Sequence, residues 1–217
     1  MNWFPVLLSL RVAALATLVT VAIGVPVAWL LARRLFPGRD LLSAALLTPL
    51  VLPPTVLGYY LLTLIGSRGP VGRLLATWNV ELAFTWRAAV LAAAVGSFPL
   101  LIKTTQSGFE AVDRRLEQAA ATLGHSEVSI FWTISVPLAW RAILAGTVLA
   151  FCRALGDFGI TLMVAGNIPG RTQTMPLAIY DYVQANELQH ANTLSLVSVV
   201  IVVLLMIALG RVARLRF

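Results

Sequence analysis

Residues 11–34 read RVAALATLVTVAIGVPVAWLLARR, an uncharged run from Val12 to Ala32 between one arginine and a closing arginine pair. An α-helix rises about 1.5 Å per residue, so about 20 apolar residues cross the roughly 30 Å hydrocarbon layer of a bilayer. The stretch predicts a membrane span from about Val12 to Leu31. It is long, and the LLARRLF that ends it has the character of a stop signal, not of the small-residue cleavage site of a leader. Four further stretches have the same quality: Leu41 to Ile65, Phe84 to Ile102, Leu138 to Val164 and Thr193 to Leu209. Composition agrees with five spans. The 217 residues are 59% hydrophobic and 12% charged, about half the charge a soluble domain of this size carries. The expected fold class is all-α, a one-domain polytopic membrane protein with five transmembrane helices.

An odd number of spans puts the two ends on opposite sides, and basic residues choose between them. With the C-terminus inside, the cytoplasmic flanks hold Arg33, Arg34, Arg39, Lys103, Arg114, Arg115, Arg211, Arg214 and Arg216. The outer flanks then hold only Arg11, Arg68, Arg73, Arg87 and Arg171. The excess of basic residues predicts the N-terminus outside and the C-terminus inside. The net charge of +7 is thereby explained by loops on one membrane face, with no need of nucleic acid.

Two spans carry unusual residues. The second contains Pro49, Pro53 and Pro54, in TPLVLPPTVLGYY. Proline removes a backbone donor and clashes with the preceding turn. The pair predicts either a broken helix lining a cavity, with Thr55 just after the break, or a helix ending near Val51 before a re-entrant or outer loop. The fourth span contains AFCRALGDFGITLMV, in which Arg153 and Asp157 stand four apart and can pair on one helix face. Charges inside a span face the bundle interior or a wet path. A structural ion pair and a place on a path both fit, and Gly156 and Gly159 would let another backbone come close. Pro53, Pro54, Thr55, Arg153, Gly156 and Asp157 are therefore the candidate path residues.

Several chemistries find no support. The phosphate-binding pattern G-x-x-x-x-G-K-[ST] needs a lysine after glycine, and the one lysine, Lys103, has none before it. His125 and His190 are far apart and Cys152 lies in a span, which suggests no metal site and allows no internal disulfide. G-x-S-x-G is absent. An intramembrane enzyme would rest on Arg153 and Asp157 alone, which neutralise each other.

Residues 116–140, LEQAAATLGHSEVSIFWTISVPLAW, fall in a loop assigned to the cytoplasm. LEQAAATLG is rich in helix formers, its alanines at 119, 120 and 121 offer a thin surface, and Gly124 suits the position just past a helix end. Val128, Phe131 and Trp132 fit a segment lying on the membrane surface. Ser135 can cap the next helix, with Pro137 in its first turn. The segment reads as a short docking helix joined to the fourth span, or as an ordinary amphipathic loop helix.

The same segment resembles the EAA loop of ABC importer permeases, E-A-A-x3-G-x9-I-x-L-P. Ala119 and Ala120 match its alanines, and Gly124, Ile134 and Pro137 match at the same spacing. Gln118 stands where the pattern has glutamate, Glu117 comes one position early, and Val136 replaces leucine. ARRLFPGRD, LLTPLVLPPTVLGYYLL, GPVGRLL and FCRALGDFGITLMVAGNIPGRTQTMPLAIY look like the molybdate permeases of that class, from about Ser9 to Arg211. Sulfate permeases are similar around GDFG and NIPG.

The resemblance implies a permease domain over 9–211 with a cytoplasmic coupling loop over 117–137. It implies a homodimer in the inner membrane with a central path for molybdate or a similar tetrahedral oxyanion, tungstate or sulfate included. ABC ATPase subunits would bind the ATP, so this chain would need no cofactor. A periplasmic or lipid-anchored binding protein would deliver the oxyanion. Glu117, Gln118, Ala119, Ala120, Gly124, Ile134 and Pro137 would couple the chain to the ATPase. A stand-alone channel or secondary transporter is the competing class. Such proteins often show internal repeats and ion-coupling acids, and here Asp157 is the only acid well inside a span.

Overall fold

The computed structural model describes residues 3–214, with side chains through Arg211; Arg216 and the side chain of Arg214, both counted among the cytoplasmic flanks, lie outside that range. The regular elements among the described residues are all helical, in the order α1 (Phe4–Arg33), α2 (Arg39–Val51), α3 (Pro54–Ile65), α4 (Pro70–Ala76), α5 (Trp86–Glu110), α6 (Arg114–Thr122), α7 (Glu127–Ile130), a π-helical turn (Phe131–Ser135), α8 (Val136–Leu155), α9 (Gly159–Ala165), α10 (Met175–Gln184) and α11 (Leu188–Arg214). Four helices are long and apolar enough to cross a membrane: α1, α5, the continuous helix Glu127–Leu155 and α11. The fifth expected span is the pair α2 and α3, bent by 115° at its break.

The sequence chooses that break. Leu52 precedes Pro53, and Pro53 precedes Pro54, so both are driven out of the helical region. They adopt φ −67°, ψ 143° and φ −54°, ψ 132°. Pro54 then opens α3, where its missing N–H costs nothing. Pro49, by contrast, is carried inside α2.

Small residues set the packing. The centre is α5, which packs on α1, α8, α9 and α2. Ala88, Ala89, Ala92 and Ala93 of α5 and Ala13, Ala16 and Ala28 of α1 are almost wholly buried. Without long side chains between them the helix backbones can approach closely, and dispersion contacts replace the hydrophobic effect that lipid does not supply. A Cβ on Gly108 of α5 would lie 2.2 Å from the Ala142 Cβ of α8, and one on Gly24 of α1 would lie 2.6 Å from Leu101. In contrast, α11 is peripheral, exposing Leu196, Val199, Val203, Leu204 and Ile207.

Three expectations change in detail. The third span runs eight residues past Ile102, to Glu110. The fourth is not one helix to Val164: α8 stops at Leu155 and α9 begins at Gly159. There is also no helix boundary at Ser135. The helix starts at Glu127 behind Ser126, whose side chain accepts from the Ser129 N–H, and passes through the π turn into α8. Pro137 explains the turn. A proline ring clashes with the carbonyl four residues back, and a wider turn just before it displaces that carbonyl. The Val136 N–H accordingly reaches back five residues, to the Phe131 carbonyl.

Candidate functional site

The segment from Asp113 to Pro137 is built from its ends inward. Asp113 caps α6, accepting from the Arg115 N–H at 2.9 Å. At the other end the His125 N–H reaches the Ala120 carbonyl and the Gly124 N–H reaches that of Ala121. This is the paired closure of a Schellman motif, and it requires Gly124 at φ +87°. The result is a short, well-capped helix that ends sharply at Gly124.

Glu117 ties that helix to two spans. Its carboxylate lies 2.9 Å from Arg33 Nε, at the last residue of α1, with side-chain exposures of 14% and 6%. The Ser135 hydroxyl, in the π turn, donates to the same carboxylate at 2.6 Å. Trp29 Nε1 donates to that hydroxyl at 3.3 Å. Arg33 also donates to the Val112 carbonyl, and Arg114 to the Ala32 carbonyl, one of the groups left open at the end of α1. Arg34 pairs with Glu127. Beneath them Phe131 packs edge-on to Trp29 at 5.3 Å and against Phe109 at 6.2 Å. The pair is desolvated, but its remaining hydrogen-bonding capacity is largely used, the condition under which a buried ion pair is tolerated. A displacement of α6 must therefore move the end of α1 and the π turn with it.

The face turned outward is different. Leu116, Ala119 and Leu123 are three and four apart, lie on one side of α6 and are exposed, Leu123 at 81%. Val128 and Trp132 extend the apolar surface. Ala120 faces inward, which corrects the picture of three alanines on one docking surface; Ala119 and Ala121 remain exposed. Gln118 is exposed and lines a cavity of about 250 Å³ with Arg33, Arg34, Arg114 and Glu117. Ile134 is half-buried and Pro137 exposed. Arg33 and Ser135 were not legible as partners of Glu117, because they lie 84 and 18 residues away in the chain. Leu116 and Leu123 carried a signal that was passed over, an apolar pair seven apart on a polar helix.

The candidate path residues divide. The breaks after α2 and α8 do meet: a Cβ on Gly159 would lie 2.8 Å from Pro54 Cβ and 3.7 Å from Thr55 N. Gly58 of α3 is pressed as closely on Met163 of α9. Pro53, Pro54 and Thr55 are exposed beside this contact. Gly156 makes no close approach and is itself exposed. Arg153 and Asp157 pair at 3.1 Å, but not along a continuous helix, since Asp157 lies beyond the end of α8. Its other oxygen accepts from the Thr161 N–H at 3.0 Å and the Thr161 hydroxyl at 2.7 Å. Asp157 thus closes α8 onto the start of α9 with three donors, and Thr161, four residues on, is the member that sequence reasoning missed. The pair leans over Gly96 of α5, where a Cβ would stand 3.6 Å from both Arg153 Nη2 and Asp157 Oδ1.

With this geometry in hand, known proteins supply a context. Residues 24–215 match the family described as binding-protein-dependent transport system inner membrane component. The chain is 50% identical over 184 residues to the molybdenum transport system permease protein ModB of Escherichia coli K12, covering 84% of this chain and 80% of that one. It is 46% identical to the protein of that name from Haemophilus influenzae, over 82% and 78% of the two chains. In fold it resembles a chain of a bacterial ABC transporter involved in the import of the acidic polysaccharide alginate, with TM-score 0.77 and 13% identity over 97% of this chain and 78% of that one. It also resembles a chain of the MetNI methionine ABC transporter in inward-facing conformations, with TM-score 0.72 and 18% identity over 99% and 98%.

Proposed function

Because the chain belongs to the family of binding-protein-dependent transport system inner membrane components, we propose that it is the permease subunit of an ATP-driven importer of molybdate. The half-identical molybdenum permease supports the substrate. The observation that carries the mechanism is Glu117, held at once by Arg33 of α1 and Ser135 of the π turn. The exposed face of α6, with Leu116, Ala119 and Leu123, docks on an ABC ATPase subunit that binds and hydrolyses the ATP. Movement of α6 is transmitted through Glu117 to α1 and through the π turn to α8. Glu117, Gln118, Ala119, Ala120, Gly124, Ile134 and Pro137 form this coupling segment. The permease domain, 9–211, works as a homodimer with N-terminus outside and C-terminus in the cytoplasm, and a binding protein delivers the oxyanion from outside. Pro53, Pro54 and Thr55, at the meeting of the two helix breaks, stand closest to the path. Arg153 and Asp157 stabilise that meeting, with Gly156 in the turn between α8 and α9.

The test is reconstitution of the chain with its ATPase and binding protein in proteoliposomes. Molybdate uptake should require ATP and the binding protein. Uptake by the chain alone, driven by an ion gradient, would make it a secondary transporter or channel. Faster uptake of sulfate or tungstate than of molybdate would reassign the substrate and leave the class intact.

A further inference from the structure

At the end of α1 remote from the coupling segment, three arginines from separate parts of the chain line one cavity of about 410 Å³. Arg11 comes from α1, Arg87 from the first turn of α5, and Arg171 from the loop between α9 and α10. Phe4, Leu8, Phe84 and Trp86 give the cavity apolar walls, and Glu81 is the one acid in its lining. The Arg11 guanidinium lies 4.2 Å over the Trp86 ring centroid, and that of Arg87 lies 5.8 Å from the same centroid. The four ion pairs among the described residues involve other cations. Three guanidiniums lining one cavity, two of them beside the same indole, with one carboxylate in the lining, repel one another, and an anion entering between them relieves that repulsion. The planar guanidinium fork fits a tetrahedral oxyanion through paired N–H donors.

We propose that this cavity binds a phosphate-type oxyanion group, presented as the headgroup of an anionic phospholipid. Two features favour a lipid over a free ion. The basic rim adjoins apolar walls, and a tryptophan sits among them, as at the level where a membrane meets water. In addition, Leu7, Arg11, Ala14 and Leu18, at helical spacing, are all exposed. Leu7, Ala14 and Leu18 lay apolar surface along α1 on either side of Arg11, on which acyl chains can lie. The site is independent of the coupling segment and of the substrate assigned above.

Native mass spectrometry of the full-length chain in detergent, with phosphatidylglycerol, phosphatidylcholine or inorganic phosphate added, tests the site. The unmodified chain should retain phosphatidylglycerol over phosphatidylcholine. The triple variant Arg11→Gln, Arg87→Gln, Arg171→Gln should lose that preference by about tenfold, which corresponds to about 1.4 kcal/mol. Arg73→Gln, an exposed cation outside the cavity, should leave it unchanged. Arg11→Gln alone should show a smaller loss of the same sign, so the outcome does not hang on the triple variant folding. Inorganic phosphate bound by the unmodified chain and lost in the variants, without lipid selectivity, would keep the oxyanion site and overturn its lipid occupant. Equal retention of the two lipids and no phosphate binding by the unmodified chain would overturn the proposal, as would lipid and phosphate binding unchanged in the variants.

Discussion

Arg33 and Glu117, 84 residues apart, form a 2.9 Å ion pair that joins the last residue of the first span to the coupling helix. Glu117→Gln keeps the shape and leaves Arg33 largely buried without its charge partner. Breaking such a pair costs about 3–5 kcal/mol. We expect ATP hydrolysis stimulated by the loaded binding protein to fall to its basal rate, with membrane insertion retained. Ser135→Ala removes one hydrogen bond, about 1 kcal/mol, and should be milder. Gln118→Ala, at an exposed position, should be milder still. Hydrolysis rates in proteoliposomes check the order, and a Gln118→Ala defect as deep as that of Glu117→Gln would refute it.

Gly124 has open space where a Cβ would go, so a substitution there meets only the backbone requirement of φ +87°. Gly124→Ala should cost about 1–2 kcal/mol locally, while Gly124→Asn should cost less, because asparagine visits this region more readily. Gly124→Asp adds a charge beside the exposed docking face and should abolish stimulated hydrolysis. Comparison of the three variants in one hydrolysis assay separates backbone strain from charge, and full activity in all three would remove Gly124 from the coupling segment.

Asp157 accepts from Arg153 and twice from Thr161 while being 3% exposed. Asp157→Asn should therefore unfold the α8–α9 junction before it changes any transport step. The expected loss is about 3 kcal/mol. Thr161→Val, which removes only the hydroxyl donor, should cost about 1 kcal/mol. Thermal melting of the detergent-solubilised protein checks both. A stable Asp157→Asn protein with slowed transport would return Asp157 to the path.

Gly159 and Pro54 touch where the two breaks meet. Gly159→Ala brings a methyl group to 2.8 Å of Pro54 Cβ, and the two helix starts must separate. Overpacking of this kind costs about 1–3 kcal/mol. Gly156→Ala, whose new carbon would meet only the Cys152 carbonyl at 3.6 Å, should be tolerated. Melting temperatures of the two variants should differ in that order, and equal stability would mean the contact is not tight in the membrane.

Orientation is open to labelling. In a Cys152→Ser background, Ser126→Cys should be shielded from impermeant thiol reagents in intact cells, and Pro169→Cys, on the opposite face, should react. Both positions are exposed, whereas the neighbouring Thr172 is 1% exposed and would stay silent on either side. The reverse pattern would invert the topology and place α6 where no ATPase could reach it.

Much of this protein is written locally. Four apolar stretches specify helices long enough to span, and a fifth a sharply bent helix pair, because the bilayer sets the length of an apolar run. Pro53–Pro54 specifies a break because the effect of proline acts on the preceding residue and the preceding turn. The spacing from Ala119 to Pro137 marks the segment proposed for coupling, because its cap at Gly124 and its proline are local devices. What only the tertiary structure decided are the partners. Glu117 finds Arg33 and Ser135, Asp157 gains Thr161 at a helix end placed where a continuous span was expected, and Arg11, Arg87 and Arg171 come to line one cavity with Trp86. Each of these depends on which faces of α1, α5 and α8 meet. That choice is made by small residues such as Gly24, Gly96 and Gly108, whose role is to be absent from a contact. A missing side chain leaves no periodic signal in a sequence that is apolar on every side.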